Sequence, residues 1–329
     1  MIHSSQQIWD TAFGYRTASV LFAAMDLKIF EFLNDQPEGA GIQTIASNAK
    51  AVETKLAPLL NVLCQMGLLT KTGNAYQLTS ASKAAVSDST LTGVGRFRSE
   101  VSEWANLAQT LRSPGDRFKE DQIFTTDEVF PYLDMVRDSN LARVDVVADA
   151  ILSAGPTPTN ILDIGGGHGL YSERLLERCP DATATLQDLP AALSYADQHI
   201  GAQSRLRLRL VEGDARKHQE PADYSIVMVN DLLHSFGHAE KVEILRRATA
   251  ALKPGGVLFV GKFNMDDDTP SSEQSNHMFS LKMALNSRDG YLESNTEVVN
   301  ILTELGLANV TQIDIPNDIP SVLVHGQKA

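Results

Sequence analysis

The sequence is poor in several residue types, and each shortage excludes a class of protein. Cysteine occurs only at Cys64 and Cys179 in 329 residues, so a framework of disulfide bonds is excluded. Lysine and arginine are outnumbered by aspartate and glutamate, 28 to 41, which gives a net charge of −13. Because a nucleic-acid-binding surface usually needs a basic face, this acidity argues against nucleic acid as a partner.

Long apolar runs are also missing near the N-terminus. The longest early run, residues 18–25, is too short to span a bilayer, and no basic segment leads into it. We therefore expect a soluble, cytoplasmic protein with no membrane partner. The hydrophobic content of 43% is enough for a sizeable core, and a length of 329 residues favours two domains.

A glycine-rich segment organises the rest of the chain. Apolar residues at 161, 162 and 164 predict a buried strand, which runs directly into the glycine turn of residues 165–169. An amphipathic helix over residues 170–178 follows, and a second strand over residues 183–187 ends at Asp188. This succession of strand, glycine turn, helix, strand and acid is typical of dinucleotide-type βαβ units, which predicts a cofactor site here.

The residues of the turn favour one cofactor over another. Glycines let the backbone approach a ligand where a Cβ would clash, and Asp188 lies near the spacing expected of a carboxylate that accepts both ribose hydroxyls. Gly165, Gly167 and Gly169 depart from the dinucleotide fingerprint. Asp163, just before them, favours S-adenosylmethionine (SAM) over NAD, because its carboxylate could order the turn or reach the ammonium group of the ligand. The alternative is a tight turn that binds nothing.

The N-terminal region predicts a small helical domain. Residues 1–35 predict a helix whose apolar face is broader than a surface helix needs, so we expect part of it to contact another subunit. Residues 41–83 predict a winged helix-turn-helix, with helices over 44–47 and 55–66 and a hairpin over 68–78 that turns at Gly73 and Asn74. Such a domain binds DNA or serves as a scaffold for dimerisation. Its second helix carries only Lys50 and Lys55 as cations, with Glu53 between them, which favours dimerisation.

Residues 96–154 predict a helical connector that is interrupted near residues 113–115. Its large side chains belong to the core or line a substrate pocket: Trp104, Phe118, Phe124, Phe130, Tyr132 and Met135. The remaining residues, 155–329, alternate between predicted strands and helices, which indicates a doubly wound sheet. Further helices are predicted over 189–200, 239–252 and 295–305, and further strands over 205–211, 224–229, 257–260, 310–315 and 321–325, the last two antiparallel.

The predicted strand over residues 205–211 alternates arginine and leucine. It is either a basic stripe that binds anions or an edge strand whose charges protect it from aggregation, and we favour the edge strand. The whole pattern predicts an α/β fold. A doubly wound, Rossmann-like, SAM-binding sheet occupies residues 155–329, the helical connector occupies 96–154, and an N-terminal helical winged-helix dimerisation domain occupies 1–95.

The motifs of the C-terminal half resemble those of a known family. DIGGGHG, QDLP, GDA, LLHSF and ALKPGG follow one another as in the SAM-dependent O-methyltransferases of the caffeate and acetylserotonin type, which have bacterial relatives in secondary metabolism. The resemblance covers nearly the whole chain, since the N-terminal region is similar to the dimerisation domain of that family. It implies a homodimer that transfers the methyl group of SAM to a small-molecule acceptor, above all to a hydroxyl oxygen. No metal site is expected.

The predicted cofactor-binding residues are, in chain order, Asp163, Gly165, Gly167, Asp188, Leu189, Asp214, Ala215 and Asn230. The resemblance implies that Gly165 contacts SAM, that Asp188 holds the ribose, and that Asp214 lies beside the adenine. There Asp214 can accept a hydrogen bond from the exocyclic amine. Asn230 stands where the family usually has a lysine that contacts the cofactor.

The predicted catalytic residues are His234 and Lys262. His234 matches the catalytic histidine of the family, and an ordinary histidine pKa of about 6.5 suits the removal of a proton from a hydroxyl group. The alternative is a histidine that caps or packs the strand end. In the plant enzymes two glutamates bracket this histidine; here the first position falls on Lys262 and the second near Leu292, with Glu293 one position away. Lys262 could contact an acidic group of the substrate, stay neutral when buried, or point to solvent.

Two other functions compete with methyl transfer to oxygen. One is a methyltransferase-fold enzyme that methylates carbon or nitrogen, or that uses SAM structurally while it carries out another reaction. The other is a winged-helix regulator that senses SAM, against which the acidity and the cation-poor second helix argue. Accumulation of S-adenosylhomocysteine with turnover would separate methyl transfer from the altered chemistry.

Overall fold

A computed structural model describes residues 4–87, 90–112, 126–266, 276–316 and 321–329. The chain divides into two compact units, Met1–Asn106 and Leu107–Ala329. The boundary between the units thus follows Asn106, eleven residues beyond the end of the domain expected from the sequence. Within the described residues, no helix is long and apolar enough to cross a membrane.

The first unit is mainly helical. Its elements are α1 (Ser5–Phe13), α2 (Tyr15–Asp26), α3 (Ile29–Asn34), β1 (Ala40–Gly41), α4 (Ile42–Asn48), α5 (Glu53–Gln65), β2 (Leu69–Thr72), β3 (Ala75–Leu78), α6 (Ser80–Ser87), α7 (Thr90–Gly95) and α8 (Glu100–Ala105). The predicted helix pair and hairpin are present as α4, α5 and β2–β3, and β1 pairs with β3 in antiparallel fashion. Leucines of α5 at 56, 60 and 63 are buried in the core of this unit, as their helical spacing requires.

The prediction of one helix over residues 1–35 was wrong. The backbone turns at Lys28, whose φ of +52° lies in the left-handed region, so the helix cannot continue from α2 into α3. The first helix, α1, buries none of its residues in this chain. Its large apolar side chains remain exposed, with Ile8 at 58% and Trp9 at 59% of their surface.

The second unit carries the long sheet. Its elements are α9 (Leu107–Thr110), α10 (Thr126–Asn140), α11 (Val144–Ala154), β4 (Asn160–Ile164), α12 (Leu170–Arg178), β5 (Thr183–Asp188), α13 (Pro190–His199), α14 (Ala202–Arg205), β6 (Leu208–Glu212), β7 (Tyr224–Asn230), α15 (His238–Ala251), β8 (Leu252–Phe263), α16 (Asn276–Asn286), α17 (Asn295–Glu304), β9 (Ala308–Ile315) and β10 (Ser321–Gln327).

The seven strands of this unit lie in the order β6-β5-β4-β7-β8-β10-β9. The pairs from β6 to β8 are parallel, whereas β10 runs antiparallel to both β8 and β9. Every residue of β7 is buried, as expected of a parallel strand covered on both faces. Two hydrophobic clusters cover the faces, one around α11, α12 and α13 and the other around α15 and α17. This arrangement confirms the predicted doubly wound sheet with its antiparallel finish.

Two predicted strands have different bounds in the structure. The strand expected over 205–211 begins only at Leu208, because Arg205 belongs to α14 and Arg207 donates to the carbonyl oxygens of Leu176, Cys179 and Ala182. Its position at the sheet edge is confirmed. The strand expected over 257–260 is far longer, Leu252–Phe263. Its first residue pairs with Tyr224 of β7, and β10 pairs with its last seven residues.

The aromatic residues of the connector are only partly accounted for. Phe118, Phe124 and the predicted break near residues 113–115 lie outside the described residues. Phe130 of α10 packs edge-on against Tyr195 of α13, with 5.3 Å between ring centroids. Tyr195 also donates a hydrogen bond of 2.7 Å to Asp134, so these contacts fix α10 against α13.

Candidate active site

The glycine turn opens the carboxyl end of β4. Gly165 has a φ of +68°, and a Cβ at this position would lie 2.7 Å from the side chain of Leu232. Only glycine fits such a conformation and such a close approach. The backbone N–H of Gly165 donates 2.8 Å to the carbonyl of Gln187, which ties the turn to the end of β5. The turn therefore brings the ends of β4 and β5 together and leaves its backbone open to a ligand.

Asp188 is the carboxylate at the end of β5. Its two oxygens accept hydrogen bonds from the backbone N–H groups of Gly167 at 2.8 Å and of Leu189 at 2.7 Å. Burial raises the pKa of Asp188, and these two N–H groups oppose the shift. Each oxygen keeps a lone pair that can accept a hydroxyl. The predicted residues Gly167, Asp188 and Leu189 thus form one cluster that fits a ribose.

Asp163 lies at the floor of the turn and is 1% exposed. One oxygen accepts 2.7 Å from the Ser172 hydroxyl, while the other has no partner among the residues that the structure describes. Burial raises the pKa of Asp163 to about 7. The hydrogen bond from Ser172 acts to lower this pKa, whereas the charge of Asp188 acts to raise it. An unpaired buried carboxylate oxygen is unfavourable. A cationic group of a ligand, such as the ammonium of SAM, would supply the missing partner, so these residues fit the cofactor.

Asp214 follows β6 but offers less to an adenine than predicted. Its oxygens accept from Arg216, from Nε at 3.0 Å and from Nη2 at 2.8 Å. Arg216 also contacts Glu240 at 2.9 Å. Although burial acts in the opposite direction, the bonds and charge of Arg216 hold the pKa of Asp214 below its usual range. Ala215 is partly buried against the core. Its methyl group can pack against an adenine but offers no polar contact.

Asn230 ends β7 beside a small cavity. Asn230 is 9% exposed, and neither polar atom of its amide has a partner within the described part of the chain. The cavity is also lined by Arg143, Asp231, Lys262 and Ser321. Asp231, at a φ of +50°, forms an ion pair with Arg143. The amide of Asn230 therefore lines a cavity between strand ends.

His234 lies in a 3-10 turn, Leu233–Ser235, directly after β7. Its ring faces two aromatic rings, those of Phe279 at 5.2 Å and Phe263 at 5.9 Å between centroids. Across the described ranges, no hydrogen bond to either ring nitrogen is found. Burial lowers the pKa of His234 to about 4, and the positive charge of Lys241 contributes. The imidazole is therefore neutral at neutral pH, with nitrogens available to a substrate.

Lys262 is 4% exposed near the end of β8. Its ammonium donates 2.8 Å to the carbonyl of Phe263 and 2.8 Å to the side-chain oxygen of Asn295. Burial lowers its pKa to about 8, although Glu293 acts in the opposite direction. These bonds hold Lys262 against the start of α17, and this geometry favours a structural role over the predicted contact with an acidic substrate.

Glu293 is not free to orient His234 either. It is 2% exposed, and its Oε2 accepts 2.7 Å from the ammonium of Lys241, which is completely buried. Lys241 was not predicted to be functional, although the sequence contains a signal for it. Lys241 falls on the buried stripe of α15 with Ile244, Leu245 and Ala248, where a lysine needs a special reason to be. A lysine on the apolar face of an amphipathic helix would have predicted a buried cation.

The comparisons with known proteins agree with this geometry. Residues 133–308 match the O-methyltransferase domain, which is more than half of the chain. The chain belongs to this family. Residues 9–88 match the O-methyltransferase dimerisation domain. The predicted resemblance is thereby confirmed, and this O-methyltransferase uses SAM to methylate small molecules.

Two solved structures and one curated relative illustrate the similarity. An O-methyltransferase family protein from Burkholderia thailandensis is 27% identical, with a TM-score of 0.84 over 100% of this chain and 99% of that chain. Human N-acetylserotonin methyltransferase, solved in complex with SAM, is 21% identical, with a TM-score of 0.77 over 100% of both chains. The O-methyltransferase SfmM3 from Streptomyces lavendulae is 28% identical over 260 residues, 73% of this chain and 75% of its own length.

Replacement of Asp188 should weaken SAM binding to this methyltransferase. Asp188→Ala removes the acceptor for the ribose and also releases the N–H groups of Gly167 and Leu189, at a cost of about 1.5–3 kcal/mol for charge-assisted bonds. Calorimetric titration of SAM should show a correspondingly higher Kd. Asp197→Ala, an exposed acid on α13 that pairs with Arg205, is the matched control and should bind SAM as the unaltered protein does. Equal SAM affinity of the two variants would show that Asp188 does not belong to the cofactor site.

SAM affinity should also depend on pH through Asp163. With a pKa of about 7 in the free protein, Asp163 is protonated below that pH. Binding of an ammonium group favours the carboxylate, so binding should release a proton in acid and the affinity should rise about tenfold from pH 5.5 to 7. Calorimetry in two buffers of different ionisation enthalpy measures the proton release. Asp163→Asn cannot titrate, so its affinity should be lower and flat over this range; a pH dependence equal to that of the unaltered protein would contradict the assignment.

Proposed function

We propose that the protein transfers the methyl group of SAM to a hydroxyl oxygen of a small, aromatic molecule, with His234 as the general base. The observation that carries this proposal is the imidazole of His234, which packs beside two aromatic rings and has no hydrogen-bond partner among the described residues. Burial keeps this imidazole neutral at neutral pH. It follows β7, the strand next to β4, whose end bears the glycine turn. Ligands of such sheets bind at the carboxyl ends of these strands.

Some residues of the site hold SAM, and His234 removes the proton of the acceptor. Asp163 pairs with the ammonium group of SAM, Asp188 accepts the ribose hydroxyls, and the glycine turn allows close approach of the backbone. Bound SAM supplies an electrophilic methyl group on a sulfonium. His234 accepts the proton of the hydroxyl as its oxygen forms a bond to the methyl carbon and the carbon–sulfur bond breaks. Alignment of the acceptor contributes a large part of the rate, because proximity can lower such barriers by several kcal/mol.

The environment of His234 selects for an acidic hydroxyl. A base whose pKa is about 4 holds a proton weakly. A phenol with a pKa near 10 gives up its proton far more readily than an alkyl alcohol does. The rings of Phe263 and Phe279, whose centroids are 4.7 Å apart, form an apolar surface beside the imidazole that fits a flat ring. Both features support a phenolic acceptor.

The first unit supports a homodimer through residues 1 to about 95. It matches the family's dimerisation domain, and its helix α1 leaves Ile8, Trp9 and Phe13 exposed in a single chain. Trp9 and Phe13 stack at 5.6 Å, which gives α1 a continuous apolar face. A face of this kind is expected to be covered by a partner, here a second copy of the chain.

Loss of the imidazole should slow turnover without loss of the cofactor. His234→Ala should lower kcat by about a hundredfold or more, the usual contribution of a general base, while the Kd for SAM stays unchanged. His238→Ala removes an exposed histidine four residues later and is the control, which should keep near-full kcat. A His234→Ala enzyme with near-full kcat would show that proton removal is not rate-limiting.

The same assay distinguishes methyl transfer from altered chemistry. Under the proposed function, S-adenosylhomocysteine and methylated product should form in equal amounts. Turnover of a substrate without S-adenosylhomocysteine would instead assign SAM a structural role.

Disruption of α1 should dissociate the dimer. Sedimentation velocity at micromolar concentration should give the mass of a dimer for the unaltered protein. Trp9→Glu places a charge on the apolar face of α1 and should shift the population towards monomer, because an unpaired charge in an interface is strongly unfavourable. Leu206→Glu alters a residue that is 82% exposed in the other unit and should leave the dimer intact. A monomeric unaltered protein would refute the proposal.

A further inference from the structure

Lys241 is a lysine in the core of the catalytic unit, with 0% of its surface exposed. Its ammonium donates 2.7 Å to the carbonyl of Tyr291 and 2.7 Å to Oε2 of Glu293, and it lies 3.3 Å from the centroid of the Tyr291 ring. An ammonium has three N–H groups, and these three partners are all electron-rich. Although burial lowers the pKa of Lys241, Glu293 opposes the shift. The site is thus built for the charged form.

The segment held by Lys241 is the one that packs on the turn of His234. A Cβ on Gly290 would lie 2.6 Å from the carbonyl oxygen of His234, and one on Gly237 would lie 3.0 Å from the Cβ of Asp289. The segment around Gly290 therefore packs against the chain at His234 and again at Gly237, just after the turn that carries the imidazole. Tyr291 and Glu293, one and three residues beyond Gly290, are the two residues that Lys241 binds. Lys241 thereby joins α15 to the segment that covers the turn.

The same bond decides where the carboxylate of Glu293 points. In the resembling plant enzymes glutamates orient the catalytic histidine, and here Glu293 accepts a hydrogen bond from the ammonium of Lys241 instead. Titratable groups on the elements around His234 include Lys241 on α15, Lys262 and Asp266 at and after the end of β8, His277 and Lys282 on α16, and Arg288, Asp289, Tyr291 and Glu293 before α17. Helix α16 also presents the ring of Phe279. The positive charge of Lys241 acts together with burial to lower the pKa of the imidazole.

We propose that Lys241 is a positioning residue for His234: it holds Glu293 away from the imidazole and clamps the chain at Gly290 over the histidine turn. This inference rests on the proposed role of His234 as the base. A neutral imidazole is ready to accept a proton at every pH at which the protein works. Without the cation, Glu293 would be a buried carboxylate close to the turn, and the imidazole would become the group available to neutralise it.

The test is a direct titration of His234 by NMR in protein labelled at histidine, with His234→Asn used to assign its resonance. In the unaltered protein the signal should not titrate above pH 5. Lys241→Met keeps the length of the side chain and removes the charge, and it should raise the pKa of His234 by about 1–2 units. Glu293→Gln leaves the cation uncompensated, so its effect should have the opposite sign and the pKa should stay low. Lys253→Met is the control, because this lysine donates to Thr159 at the other end of the strands, away from His234. The pKa of His234 should be unchanged in this variant.

Turnover provides a second readout. A base works only when it is deprotonated, so kcat/KM should fall on the acid side at the pKa of His234, and in Lys241→Met this acid limb should move to higher pH by the same amount as the NMR titration. A merely structural lysine would lower kcat in both variants without moving the limb or the NMR signal, and that result would overturn the proposal. An unaltered protein whose His234 titrates near 6.5 would also overturn it.

Two further results distinguish a failure of this proposal from misfolding of a variant and from failure of the proposed role of His234. Lys241→Met leaves Glu293 buried and unpaired and could fail to fold for that reason. In that case Lys241→Met/Glu293→Gln removes both charges, and His234 should still titrate at a higher pH than in the unaltered protein. An unchanged titration would refute the proposal. The NMR titration needs no turnover. If His234→Ala keeps its activity while the titrations behave as described, the coupling of Lys241 to His234 stands and only the role of His234 as the base fails.

Discussion

A carboxylate that is buried without a partner is destabilising by more than an ordinary unmade hydrogen bond, and the cofactor end of this sheet contains two carboxylates side by side. Asp188 is stabilised by two backbone N–H groups of the turn and strand end. Asp163 has the Ser172 hydroxyl on one oxygen and nothing on the other within the described chain. The glycine turn, the start of α12 and the ends of β4 and β5 are arranged around these two acids. Their incomplete satisfaction leaves a definite place for a cation and for hydroxyl groups.

Most of the fold could be predicted because its signals are local. The glycine turn, the apolar strands and the amphipathic helices have periods that are visible in short windows, and most predicted bounds lie within about two residues of the observed ones. The errors arose where distant contacts decide. β8 is extended by its pairing with β10, and Arg207 leaves the strand to bind carbonyl groups of residues about thirty positions earlier.

The residues proposed for the site came from the sequence, but their electrostatics did not. Spacing suggested Asp163 and Asp188, because each lies in or at the end of a recognisable strand, and the family resemblance suggested His234. No sequence pattern states that Arg216 occupies both oxygens of Asp214, or that Asn295 binds Lys262. The same holds for His234, whose pKa is lowered to about 4 by burial and by a lysine on the next helix. Charge pairing depends on which side chains meet across the fold, and the residues at positions 262 and 295 meet although they are far apart in the chain.

The order of the strands has a consequence for the making of this protein. β10 lies inside the sheet, between β8 and β9, although both of its neighbours precede it in the chain. Until β10 is in place, β9 has no partner in this sheet and β8 exposes an unpaired edge. Such edges favour pairing with another chain. The insertion of β10 between β8 and β9 therefore protects the sheet from aggregation, and a partly folded enzyme that lacks only this step would still expose the edge of β8.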